Sequence, residues 1–424
     1  MPRKSRDVRR ASLPPRWLIH ACGQIFRACI ESPGAPDKVI ARAFREDGRL
    51  NGDLQGFVAD TVQGMLRARG FVEAGMRNVP RGRDEDAVLL FLRARRGLTV
   101  GPRAAGLGRA IAAGEKETGG VDVLVPGWLR SALPGSEALL RAFASAPPVT
   151  LRANTLRIST RELAEWLWHE GIAVRPTNLS PLGLTLENGA NVFRTEAFRD
   201  GAFEMQDEGS QLVAFLCAPR PGDVVVDGCA GAGGKTLALA AMMANRGTIH
   251  AFDTAAFRLD ELHQRARRAG AQNVRVQALE ENDLRPLTRL HAKADVVLID
   301  APCSGTGVLR RNPDIGWKLR EADVARLAEE QARLLLTYAP LVKPGGRLVY
   351  AVCSLLPAEG EKQVARFLRT HPDFRRADAT RTLREAGVPT EGLVTRGDLF
   401  LDPVRHGTDG FYAAALQRAA GAPM

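Results

Sequence analysis

Two cysteines stand where chemistry could be done. Cys303 follows a proline just past the strand-like run VVLID, and Cys353 follows the run RLVYAV. Asp300 closes the first run, so a carboxylate precedes the first thiol by one turn of chain. The remaining cysteines, Cys22, Cys29, Cys217 and Cys229, are scattered and form no C-x-x-C pair. That pattern argues against a disulfide framework and against a zinc site. A single buried cysteine is a small hydrophobe, whereas two at one rim beside a carboxylate favour a reactive site. The chemistry that suits the set is methylation of a pyrimidine at C5. A thiolate adding to C6 makes C5 nucleophilic toward an electrophilic methyl group, and a carboxylate held against N3 and the exocyclic amine stabilises the adduct. A free thiol has a pKa of about 8.5, so the site must lower that value or accept the proton on attack.

A methyl donor needs a cradle. The stretch DGCAGAGGKT, Asp227 to Thr236, follows the strand-like DVVVD and opens a helical run. Its glycines allow close backbone approach to a ligand, and the helix start offers free N–H groups. A phosphate-binding Walker A loop competes for this stretch, with VVLID passing for its partner strand. That loop requires its first glycine at position 229, which is Cys229. An S-adenosylmethionine loop predicts instead an acidic residue closing the next strand, and IHAFD supplies Asp253 there.

The elements that must position these groups alternate. From residue 216 onward strand-like and helical runs follow one another: DVVVD, GTIHAFD, NVRVQA, ADVVLID and GGRLVYAVC are separated by helical stretches, and GFYAAAL comes late. Such alternation predicts an α/β fold with a doubly wound, Rossmann-like, mostly parallel sheet over 216–424. If the first, fourth and fifth strands are neighbours, both thiols reach the rim that holds the cofactor. Before it, 146–215 reads as a small α/β unit, in which Ser159 caps a helix that stops at Gly171. His169, at the end of that helix, suits the helix dipole better than a ligand role. Residues 1–145 read as helices, with apolar residues at three- and four-residue steps and Asn51 or Asp53 as one N-cap.

Charge narrows the partner. The 424 residues carry a net charge of +11, which favours a polyanion such as RNA. The arginine-rich start, MPRKSRDVRR, reads as a solvated or RNA-touching tail. The longest apolar run, LALAAMMA, is too short to cross a bilayer, so a soluble, cytoplasmic protein with neither a membrane nor a metal partner is expected.

Taken together, DAPCSGTGVLRRNPDIGW, CAGAGGKT, MQDEGSQLVA, VKPGGRLVYAVCS and HGTDGFYAA resemble the RNA 5-methylcytosine methyltransferases of the RsmB/NOP/NSUN type over roughly Val149 to Arg418. The helical start is similar to the NusB-like module of the bacterial RsmB branch. The resemblance implies a class I methyltransferase sheet and rRNA, of the 16S type, as substrate. It implies that Cys353 is the nucleophile, that Cys303 assists breakdown of the covalent adduct, and that Asp300 is the carboxylate of the same motif. It assigns S-adenosylmethionine to Cys229, Ala230, Gly231, Ala232, Gly233, Gly234 and Lys235, with Asp253, Asp300 and one acidic residue after the third strand, Asp283 or Glu280. Two positions depart from the family: Val352 stands where threonine is usual, and Ala232 where proline is common. A catalytically inactive RNA-binding assembly factor is the alternative that Val352 leaves open. Arg310 and Arg311 could meet RNA phosphates, Trp317 could stack on a base or lie in the core, and the target cytosine must leave any stack.

Overall fold

The computed structural model of the chain describes residues 13–98, 105–119, 121–133, 135–187, 191–280, 283 and 285–420. The basic tail, residues 1–12, lies outside them. The chain divides into two compact units, one made of 1–146 with 309–319 and the other of 147–308 with 320–424.

The first unit is helical from Arg16–Glu31 through Ser136–Ala144. Its first helix buries Leu18, Ile19, Cys22, Ile25, Phe26 and Cys29, spacings that put all six on one face of a 3.6-residue period. That face meets Val58, Val62, Met65, Phe71, Leu90 and Phe91 in one core. The helix Asp84–Arg96 carries Asp84, Glu85 and Asp86 in its first turn and Arg93, Arg95 and Arg96 in its last, each sign placed against the opposite end of the helix dipole. The expected side-chain cap at Asn51 or Asp53 is absent. The helix Asp53–Arg67 is preceded by Gly52 at φ 51°, a left-handed entry that glycine adopts without strain.

The segment Leu309–Leu319 belongs to this helical unit although it follows the Cys303 motif in sequence. Trp317 packs against the helical core, with the Arg69 guanidinium 4.4 Å over its ring. It is a core tryptophan, not a base-stacking platform. Arg310 is only 4% exposed, which corrects the expectation that it meets phosphates from a surface loop.

The second unit holds two sheets. The smaller contains β1 (Thr150–Ala153), β2 (Val174–Pro176), β3 (Gly183–Leu186) and β4 (Phe203–Met205) in the order β2-β3-β1-β4, all antiparallel. The helix Thr160–His169 packs its Leu163 and Leu167 into the core of this sheet. Ser159 caps it as expected, accepting from the Glu162 N–H while Glu162 returns the bond.

The larger sheet has nine strands: β5 (Val224–Asp227), β6 (Thr248–Asp253), β7 (Val274–Ala278), β8 (Ala294–Asp300), β9 (Val342–Val352), β10 (Phe374–Arg376), β11 (Val394–Thr395), β12 (Asp398–Leu401) and β13 (Phe411–Arg418). Their order is β11-β12-β13-β9-β8-β5-β6-β7, with β10 beside β13. The five strands β9-β8-β5-β6-β7 are parallel. β13 closes the β9 edge antiparallel. The near-continuous apolar runs of β5, β8 and β9 are buried on both faces, as strands covered by helices on two sides must be.

Candidate active site at the switch point of the large sheet

The order of the parallel strands reverses between β5 and β8, and the crevice outside their carboxyl ends is where such sheets take ligands. Three segments end there: Asp227 to Lys235 after β5, Asp300 to Cys303 after β8, and Cys353 after β9. The expected adjacency of first, fourth and fifth strands is what the sheet shows.

Register brings the thiols together. Asp300 pairs with Ala351 across β8 and β9, and the Ala301 N–H donates to the Ala351 carbonyl at 2.9 Å. The two chains therefore leave the sheet at the same height, and the Sγ atoms of Cys303 and Cys353 lie 3.4 Å apart, both half-buried. The contact with Cys353, followed by burial, raises the pKa of the Cys303 thiol well above its ordinary value. Val352, the departure next to Cys353, is fully buried among Val226, Ile299 and Tyr350. Its side chain belongs to the core, so the loss of a threonine hydroxyl removes no group from the site.

Beside the thiols, Lys235 Nζ lies 2.6 Å from Asp300 Oδ2. Burial pulls the ammonium pKa down, but the charge and hydrogen bond of Asp300 outweigh it, and the net shift is upward. The ammonium also lies 5.3 Å from the centre of the Phe411 ring.

A buried polar network holds the two cysteine loops. Glu359 is fully buried. It accepts from the Ser304 N–H at 2.8 Å, from the hydroxyls of Ser304 and Ser354, and from Gln331 Nε2 at 3.1 Å. Gln331 also donates to the Pro302 carbonyl at 2.9 Å, and Tyr350 donates to the Glu359 carbonyl at 2.6 Å. Sequence reasoning passed over this network. The signal was present: each site cysteine is followed by serine, and a glutamate follows the second pair.

The motifs flanking the site brace it. Asp207 caps the helix Glu208–Cys217 through the Gly209 N–H and also accepts from the Asp409 N–H at 3.2 Å. The Gly410 N–H donates to the Gly307 carbonyl at 2.9 Å. A Cβ on Gly307 would fall 2.1 Å from the Gly410 carbonyl oxygen, so only glycine allows this approach.

The glycine loop after β5 turns sharply. Gly233 has φ 86°, and a Cβ there would fall 2.0 Å from Leu262 Cδ1. The Asp253 carboxylate accepts from the Gly231 and Ala255 N–H groups, each at 2.8 Å, and the Ala232 carbonyl accepts from Arg265 at 2.8 Å. Asp227, which the sequence did not single out, is 1% exposed. Its Oδ2 accepts from the Thr236 hydroxyl at 2.7 Å, while its Oδ1 is buried with no hydrogen-bond partner. Burial pushes its pKa up to about 7. Burial likewise raises the Cys229 thiol. Of the two acids after β7, Asp283 is gripped by both Nε and Nη2 of Arg285, each at 2.8 Å, and by the Arg285 N–H. Those bonds lower its pKa to about 2. Glu280 is exposed.

Among the described residues, no group of three or more His, Cys, Asp or Glu could hold a metal ion, and no helix is long and apolar enough to cross a membrane.

The model of the 16S rRNA methyltransferase RsmB/F family matches residues 214–417, and that of the RsmF/B-like ferredoxin-like domain matches residues 126–193. A probable ribosomal RNA small subunit methyltransferase B of Synechocystis sp. is 35% identical over 75% of this chain and 72% of its own. Its counterpart in Bacillus subtilis is 33% identical over 71% and 67%. Among solved structures, a methyltransferase homologue from Pyrococcus horikoshii has a TM-score of 0.57 at 27% identity, covering 68% of this chain and 93% of its own. NSun6 of the same organism, solved with the S-adenosylmethionine analogue SFG, has a TM-score of 0.59 at 22% identity, covering 69% and 98%, and shares the fold. The sheet order and the rim geometry thus agree with a shared ancestry: the chain belongs to the RsmB/F family of RNA methyltransferases, with S-adenosylmethionine as its cofactor.

Proposed function

We propose that the chain methylates C5 of a cytosine in small-subunit ribosomal RNA through a transient Cys353–C6 bond, acting in the cytoplasm. The observation that carries this reading is the 3.4 Å separation of the Cys303 and Cys353 sulfurs beside the Lys235–Asp300 pair. The names of the curated relatives supply the RNA class.

The donor set fits the cofactor. The unpartnered Oδ1 of Asp227 suits an ammonium group. The Asp253 carboxylate suits a ribose diol. Backbone N–H groups from Cys229, Ala230, Gly231, Ala232, Gly233 and Gly234 suit a carboxylate at the start of the helix Gly234–Met242, while Lys235 and Asp300 border the same cradle. A third acid, Asp283 or Glu280, completes the set. When bound, S-adenosylmethionine supplies an electrophilic methyl group.

The chain's own residues do the rest. Cys353 Sγ bonds to C6 of a flipped cytosine, and the C5–C6 electron pair shifts to make C5 nucleophilic. Asp300 accepts from the exocyclic amine and, with Lys235 beside it, fixes the ring through the charge change. After methylation, loss of the C5 proton re-forms the C5–C6 double bond, and Cys353 leaves as a thiolate. Cys303, held as a protonated thiol, stands next to that leaving sulfur and assists its departure. Val352 gives no support to an inactive protein, because its side chain is in the core.

The test is methyl transfer from labelled S-adenosylmethionine to undermodified 16S rRNA. Cys353→Ala should abolish transfer, and Cys303→Ala should accumulate an SDS-stable protein–RNA complex. Full activity in Cys353→Ala would defeat the reading.

A further inference from the structure

Away from the thiols, the second unit contains a cavity of about 600 Å³ lined by Arg157, Trp166, Arg199, Asp200, Arg267 and Arg268. It forms where the loop after β1 and the loop before β4 meet the end of the helix Ala256–Ala269. The junction is fixed: Asn154 Nδ2 donates to the carbonyls of Gly201 and Ala269, each at 2.8 Å. The recess is therefore built into the packing of the two sheets' elements.

Its charge is one-sided. Glu204, 2% exposed, is shared by Arg265 and Arg268 and is neutralised by them. Glu196 lies 3.8 Å from Arg199, and Asp200 is the one carboxylate in the lining. The guanidinium groups outnumber these acids. Part of this charge is structural: Arg157 donates to the Arg268 carbonyl at 3.5 Å, closing the helix end, and Arg268 lies 4.0 Å over the Phe198 ring. Neither role uses up a five-donor fork, and the Arg268 Nε–H is buried with no acceptor. Arg199 and Arg267 are exposed. Planar forks around a polar recess match phosphate oxygens, and the half-buried Trp166 offers an indole to a neighbouring base.

Position says which phosphate. The helix Ala256–Ala269 starts beside Asp253 at the cofactor rim and has 14 residues, so its far end lies roughly 20 Å away at 1.5 Å per residue. A ligand held there is not the target nucleotide.

We propose that this recess is a distal RNA-backbone site, gripping a phosphodiester of the substrate several nucleotides from the target cytosine. The inference rests on RNA as substrate. It predicts a contribution to RNA affinity and KM, not to the chemical step.

The test uses the full chain carrying Arg199→Glu with Arg267→Glu. Probes are a fluorescein-labelled single-stranded RNA for binding and an undermodified 16S rRNA transcript for turnover. Both positions are exposed, and the Gln pair at the same sites gives a milder second variant. The expected result is weaker RNA binding, a salt-dependence slope reduced by about two, one unit per lost phosphate contact, a KM raised about tenfold, and kcat at saturating RNA within about twofold, the pattern of lost uniform binding. An unchanged slope and KM would overturn the proposal. So would an equal loss in the charge-matched control Arg366→Glu with Arg369→Glu, on the exposed face of the helix Glu361–Thr370, because net charge alone would then explain it. The binding arm needs no methyl transfer, so it decides the matter even if the cytosine reading fails.

Discussion

Ser304 and Ser354 each follow a site cysteine, and their hydroxyl oxygens lie 3.2 Å apart on the same carboxylate oxygen of Glu359. Two loops from two strands are thereby tied at the residue next to each sulfur. A fully buried carboxylate without a cation at hand is costly, and here its hydrogen bonds supply the compensation. The arrangement fixes the distance between two thiols that must act on one ring.

Glu359→Gln keeps the shape and an acceptor for the Ser304 N–H but breaks the shared contact with both serines. Because a positioning loss of about 1.4 kcal/mol is a factor of ten in rate, kcat should fall on the order of tenfold while KM for RNA and S-adenosylmethionine stays near the native value. Glu359→Ala should also lose about 3 kcal/mol of stability through the orphaned serines and the cavity. Steady-state kinetics with thermal unfolding separate the two, and a Gln variant with native kcat would mean the network only serves the fold.

Much of this was legible in sequence because the parallel strands announce themselves. VVVD and VVLID are short β-branched runs ended by an acid, and helices with capping signals follow them. The edge strands β10, β11 and β12 were not read, since three residues of FRR or two of VT carry no period. Cys303 and Cys353 were legible as candidates, but their contact depends on the β8–β9 register, which no local pattern encodes. Trp317 and Arg310 misled for a related reason: a motif continuous in sequence divides between two units in space.

The Cys303 thiol is held protonated first by its contact with Cys353 and then by burial. Removing the first cause should lower its pKa. In Cys353→Ala, alkylation of Cys303 by iodoacetamide at pH 8.5 should be faster than in the native protein, because only the thiolate reacts. Mass spectrometry of the peptide containing Cys303 reads the rate. An equal or slower rate would show that burial alone sets its protonation.

Asp227 should make the cofactor-free protein more stable at mildly acid pH. Its folded pKa is about 7, against about 3.9 for an ordinary aspartate. Between those values the folded state binds the extra proton, so this group's contribution declines as pH rises from about 4 to about 7. Each pKa unit is about 1.4 kcal/mol, which makes the whole effect a few kcal/mol. Asp227→Asn, which keeps an acceptor for Thr236, should gain stability relative to native at pH 8 and show little gain at pH 4. Urea unfolding at the two pH values measures the difference. The same variant should bind S-adenosylmethionine more weakly, since the unpartnered oxygen is lost.

Asp253 and Asp283 make a sharper comparison for the cofactor. Asp253 is oriented by two backbone N–H groups of its own loop, so its carboxylate is preorganised at the cradle. Asp283 is held by three donors of Arg285, and any ligand must share it with that guanidinium. Asp253→Ala should weaken S-adenosylmethionine binding on the order of 100-fold, a loss of about 2.8 kcal/mol that befits a charge-assisted pair. Asp283→Ala should cost tenfold or less, and Glu280→Ala less still. Calorimetric titration of each variant with S-adenosylmethionine orders the three. If Glu280→Ala exceeded Asp283→Ala, the third acid of the cradle would be Glu280, and the Arg285 grip would mark Asp283 as a structural residue of the loop.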